Sequence, residues 1–138
     1  RTKRSGRRVG RIIVGGGGAA VAAFLVSSGY YAAATPLERR SLGDAALDRG
    51  RPQAWKVLTE LLRTAVVASV FAWVASRAEL ESLPGSLALA VVLWVGFPVV
   101  LLTGSITWER VPPVTAATHA GDWLLKLLLI AVIIGLLH

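Results

Sequence analysis

The chain has 138 residues, 54% of them hydrophobic and only 17% charged, with a mean hydropathy of +0.62. Soluble domains carry about 25% charged residues, so that class is excluded, and the absence of cysteine excludes disulfides, thiolate metal sites and thiol nucleophiles. The net charge of +7 gathers in the first eleven residues and the first loop, beside apolar spans and without interleaved aromatics, which points to an anionic membrane surface and not to nucleic acid.

Residues 1–11 form a basic juxtamembrane tail holding Arg1, Lys3, Arg4, Arg7, Arg8 and Arg11. Its expected partner is anionic lipid. Methionine is absent throughout, so the numbering is expected to follow a removed start. Residues 12–138 are read as one membrane domain of four spans, near 12–34, 53–78, 86–108 and 115–138. The first span has no charge and is longer than the 7–15 apolar residues of a secretory signal, so it is expected to be retained. Tyr30 and Tyr31 are expected at its far interface.

Gly15, Gly16, Gly17 and Gly18, followed by Ala19, Ala20, Ala22 and Ala23, make a face almost without side chains. Small residues let helix backbones approach closely in lipid, so this face is expected to pack against a neighbour, including a second copy of the chain. A phosphate loop is excluded, because the strand, Lys and Ser/Thr it needs are missing. Thr35 and Pro36 then predict a helix start, Thr as cap and Pro in the first turn, giving a short interfacial helix that Gly50 and Pro52 end.

Only residues 64–76 of the second span lack charge, thirteen residues where about twenty are needed to cross. The span must therefore take Glu60 and Arg63 into the membrane with it. Residues 79–85 form a short connection, so the second and third spans are expected to be antiparallel neighbours. The third is free of charge, and Pro98, helped by Gly96, is expected to kink it. Glu109, Arg110, Pro112 and Pro113 end it. The last span carries His119, Asp122 and Lys126 before a purely apolar second half.

Leu93-Trp94-Val95-Gly96-Phe97, then Trp108-Glu109-Arg110, then an apolar closing helix with Gly135, form a recognisable pattern. With Tyr30-Tyr31 and Pro36-Leu37, the chain resembles the bacterial membrane proteins of domain-of-unknown-function family 1761 over about residues 12–137. The resemblance implies a small four-helix membrane protein and brings no established activity. The basic tail is an addition to the family's pattern.

The expected fold is thus an all-α antiparallel four-helix bundle in the membrane, with an interfacial helix between spans one and two. Four spans put both termini on one side. Arg1, Lys3, Arg4, Arg7, Arg8, Arg11 and Arg77 would then face Arg39, Arg40, Arg49, Arg51, Lys56 and Arg110 across the bilayer. Seven against six favours cytoplasmic termini in the inner membrane, by a narrow margin.

The embedded charges carry the candidate chemistry. At bilayer depth each costs about 2.5–3.5 kcal/mol on insertion scales, so charges there are paired and turned inward. Glu60 and Arg63 are helix neighbours at i,i+3, and Asp122 and Lys126 at i,i+4. One reading is self-neutralisation within each pair. The other joins Glu60, Arg63, Glu109, His119, Asp122 and Lys126 into one cluster on the same membrane face, with Trp94 lining a cavity beside it. That cluster would bind an amphipathic or lipid-like molecule, or a partner helix. Two alternatives remain: a membrane-embedded enzyme with His119 and Asp122 as acid and base, and an oligomeric proton- or ion-coupled transporter. His119, Asp122, Glu109 and Glu60 supply the only metal-donor set, in no diagnostic spacing, so cofactors stay unassigned.

Overall fold

The computed structural model of the chain describes the backbone of residues 2–43 and 54–137, and the side chains of 17–19, 21–43 and 54–137. The elements are α1 (Thr2–Leu42), α2 (Ala54–Arg77), α3 (Leu83–Trp94), a π-helical turn (Val95–Val99), α4 (Val100–Trp108) and α5 (Pro113–Leu137). No strand occurs among the described residues. Gly17–Leu42, Ala54–Arg77, Leu83–Trp108 and Pro113–Leu137 are each long and apolar enough to cross a membrane. The protein is all-α, with four candidate spans.

The surface agrees with lipid as its solvent. Leu58, Leu62, Val66, Val70 and Trp73 form an exposed apolar face of α2, while Ser27, Glu38, Thr64, Ser86, Thr118, Asp122 and Lys126 are buried. A water-soluble protein distributes these the other way, since burying unpaired charge in water's place is costly. Packing between helices depends on small residues: Ala23, Ala75, Ala90 and Ala131 have no exposed surface. Lipid supplies no hydrophobic force between helices, so close backbone approach must supply the contact.

Residues meet α5 in opposite order along α1: Ser27 reaches Asp122, Tyr30 lies on Gly121, and Tyr31 reaches His119. The same reversal links α3 to α5, where Leu83 lies on Gly135 and the Trp94 indole donates to the Ala120 carbonyl at 2.8 Å. Between α2 and α5 contact is sparse. That leaves space inside the bundle.

Three expectations are corrected. The helix start at Thr35 and Pro36 does not exist, because α1 continues through Pro36 to Leu42. The proline removes one backbone donor, but breaking the helix in lipid would free several more groups. The Thr35 hydroxyl also donates to the Tyr31 carbonyl at 2.6 Å, as an additional tie across that turn. Gly43, with φ +79°, then ends α1 through a bond from its N–H to the Arg39 carbonyl. The remainder of the expected interfacial helix, with Gly50 and Pro52, lies outside the described residues.

The second correction concerns two positions of the small-residue face, Gly17 and Gly18. No other part of the chain lies within 4 Å of where a side chain would stand at Gly17 or Gly18. Close approach within the chain is found on the same small-residue face at Ala19 and Ala23, which are buried as expected. The side-chain faces of Gly15 and Gly16 lie outside the described residues.

The third concerns the spans' edges. α3 begins at Leu83, ahead of the expected residue 86, because the Ser82 hydroxyl caps it by accepting from the Gly85 N–H at 3.3 Å and Pro84 suits its first turn. Pro98 does disturb its helix, as the π-helical turn Val95–Val99. A missing N–H at 98 strands a carbonyl one turn back, and a wider turn absorbs the mismatch.

Candidate functional site

Side chains on three helices form one ionic string. On α2, the Arg63 guanidinium donates to Glu60 at 3.2 Å; on α5, the Lys126 ammonium lies 2.8 Å from Asp122. These are the two pairs expected from helical spacing. Lys126 also reaches across to Glu60 at 2.6 Å, and the Ser27 hydroxyl on α1 donates to Asp122 at 2.5 Å. The order Asp122, Lys126, Glu60, Arg63 alternates in sign, so each charge inside the string has an opposite neighbour. Side-chain exposure is 4% at both Asp122 and Lys126, 29% at Glu60 and 58% at Arg63. The string runs from a dry end at Asp122 to an open end at Arg63.

The buried end explains itself electrostatically. An ammonium sealed from water needs hydrogen bonds as well as opposite charge, and Lys126 has two carboxylate acceptors. Asp122 uses one oxygen for Lys126 and the other for Ser27. Lys126 thus occupies the place a bound cation would take.

His119 lies in the same region, partnered by α1. Its Nδ1 is 2.5 Å from the Tyr31 hydroxyl, and no His119–Asp122 bond is formed. The reason is register: α1 presents Ser27 and Tyr31, one turn apart, to Asp122 and His119, also one turn apart. Tyr31 therefore belongs to the site. Tyr30 packs over Gly121, and the carboxylates of Asp122 and Glu38 both lie within electrostatic range of its hydroxyl.

Glu109 does not join. It is exposed at the end of α4, where its carboxylate keeps its water and nothing drives it inward. No group of three or more His, Asp or Glu that could hold a metal occurs among the described residues. Trp94 does not line the cavity either, since its indole is committed to the α3–α5 contact.

A cavity of about 760 Å³ opens between α1, α2 and α5, walled by Ser27, Tyr31, Lys56, Glu60, Arg63, His119, Asp122, Trp123 and Lys126, among others. Beside it, a groove of about 480 Å³ runs between α2, the π-helical turn, α4 and α5, lined by Val66, Val67, Val70, Phe71, Leu93, Phe97, Pro98, Leu101, Leu102 and Leu127. Arg63 and Trp123 border both spaces. They are stacked, the guanidinium 5.9 Å from the indole centre, with the Lys126 ammonium 5.4 Å from that same ring. A polar chamber and an apolar groove share one wall.

Sequence reasoning missed Ser27, Tyr31, Lys56 and Trp123. Ser27 and Tyr31 stand at i,i+4 on one face of span one, a polar stripe in an uncharged helix. Trp123 follows Asp122 directly. Glu38, wholly buried at 0% exposure, was hidden because the sequence placed it on a surface helix.

Comparison with curated proteins and with solved structures gives no significant match. Residues 17–135 match DUF1761, a family of proteins of unknown function, and that stretch covers three candidate spans in full, the fourth up to Gly135, and the whole ionic string. The chain belongs to the DUF1761 family.

Proposed function

We propose that this DUF1761 protein binds a small amphipathic molecule within the membrane, its polar end in the charged chamber and its apolar end in the groove. The observation carrying this reading is the shared wall: one space is lined by ions and hydroxyls, the next by Val, Leu and Phe, and Arg63 with Trp123 separates them. Both volumes fall within the roughly 300–1,000 Å³ usual for ligand sites. The π-helical turn borders the groove, and such turns often accompany functional sites. Catalysis has weaker support, because His119 and Asp122 are engaged with different partners.

The setting is the inner membrane, both termini cytoplasmic, on the positive-inside balance above. α1 carries Lys3, Arg4, Arg7, Arg8 and Arg11 ahead of its candidate span, an arrangement suited to anionic headgroups. The glycines at 15–18 suit contact with a second copy.

A nitroxide-labelled monostearoylglycerol, whose head is uncharged, tests the reading in phosphatidylcholine nanodiscs. Electron paramagnetic resonance should show a saturable immobilised fraction. Val70→Trp, which fills the groove from its lipid-facing side, should weaken that occupancy by about tenfold. A probe that partitions equally into empty and protein-loaded discs would contradict it.

A further inference from the structure

We infer that the amphiphile has a single chain and an anionic head, a carboxylate or a phosphate monoester, and that Arg63 binds that head with Lys56 as the second cation. The inference rests on the binding reading above and adds the chemistry of the ligand.

Among the described residues that line the chamber, positive charge is in excess: Lys56, Arg63 and Lys126 stand against Glu60 and Asp122. The excess sits at the open end. Lys126 is enclosed by both carboxylates, and Glu60 lies closer to Lys126, at 2.6 Å, than to Arg63, at 3.2 Å. Arg63 therefore shares a carboxylate whose charge is already half committed. A guanidinium has five N–H donors. Among the described residues, Arg63 gives one of them to Glu60 and lays its face towards Trp123.

Depth makes those remaining donors significant. Arg63 is nine residues past Ala54, the start of α2, or about 14 Å along the axis of a candidate span, a distance that takes it into the hydrocarbon layer. A charge there that does not face protein calls for an anion or a water-filled space. The side chain is 58% exposed and borders the chamber on one side and the groove on the other. An anionic head held by Arg63 would keep its polar atoms in the chamber and pass its chain along Val66, Val70, Phe97 and Leu101. The planar fork of arginine matches carboxylate and phosphate oxygens two at a time. Lys56 borders the same chamber, with its ammonium 5.7 Å from the Trp55 ring and no carboxylate bonded to it among the described residues. Among the described residues, the groove that leaves the shared wall gives the path assigned to the single chain.

The test compares nitroxide-labelled stearate, octadecyl phosphate and octadecyltrimethylammonium in phosphatidylcholine nanodiscs, with the labelled monostearoylglycerol as uncharged reference. Stearate or the phosphate should bind at least about tenfold more tightly than the cationic analogue, and the tighter of the two identifies the head. Arg63→Gln should remove that preference, bringing the affinities for the anionic probe and the cationic analogue to within about twofold of each other in the same variant. Arg63→Lys should retain part of it. Saturable binding of monostearoylglycerol with no anionic preference, or with a preference unaffected by Arg63→Gln, would overturn the inference and leave the binding reading standing. Saturable binding by none of the four would overturn both.

Discussion

Replacing Gly135 with alanine should destabilise the bundle by about 2–3 kcal/mol, the upper range for overpacking a filled contact. A methyl group at that position would stand 2.6 Å from the Leu83 Cα and 3.1 Å from its Cβ. The first of these is backbone, which cannot rotate aside, so α3 and α5 must separate where the end of one meets the start of the other. Gly135→Leu should be worse. Gly104→Ala is the control, because nothing lies within 4 Å of the added methyl; it should change stability by less than about 0.5 kcal/mol. Denaturation of the reconstituted variants measures both. Equal behaviour at 104 and 135 would mean that α3 and α5 do not meet at Leu83.

The second large effect is expected at Lys126. Lys126→Met removes the cation between Asp122 and Glu60, leaving the buried Asp122 carboxylate with the Ser27 hydroxyl and no opposite charge, while the half-buried Glu60 keeps Arg63. Breaking a buried ion pair on one side costs about 3–5 kcal/mol, because the stranded charge is left without a partner. Neutralising the partners as well, with Glu60→Gln and Asp122→Asn in the same chain, should recover most of that loss. The rescue separates an electrostatic cause from a steric one. A Lys126→Met variant as stable as the parent would show that water reaches the string, and the chamber would then be an open channel mouth.

Much of this site was legible from spacing. Glu60 with Arg63, and Asp122 with Lys126, lie one helical turn apart, so the sequence dictates their pairing once the helices exist. Their meeting as one string stayed open beside self-neutralisation within each pair: similar depth, early in spans two and four, makes it possible, and the contact between Lys126 and Glu60 joins them. Ser27 and Tyr31 were harder to find: their partners belong to another helix 95 and 88 residues away, and only the register of α1 on α5 brings them together. Glu109 misled for the opposite reason. A shared membrane face gives proximity in one dimension, and its exposed position at the end of α4 kept it outside.

The errors in α1 have a common origin. Thr35-Pro36 is a helix-start signal in water, where a broken helix loses little because solvent satisfies its ends. In lipid the same break is expensive, and the helix continues to Gly43. Gly17 and Gly18 show a further limit of composition. Small residues permit close approach, but which helix arrives depends on the rest of the bundle, and Ala19 and Ala23 receive it.

Whether Arg63 and Trp123 divide one binding site can be measured directly by photo-cross-linking. A monoacylglycerol with a mid-chain diazirine, photolysed in nanodiscs with the protein and mapped by mass spectrometry, reports where its chain lies. Adducts should concentrate on residues 66–71 and 97–102 and disappear when unlabelled monostearoylglycerol competes. Adducts spread over lipid-facing residues such as Val21, Leu25, Trp73 and Val92, unchanged by the competitor, would contradict a binding site at that wall.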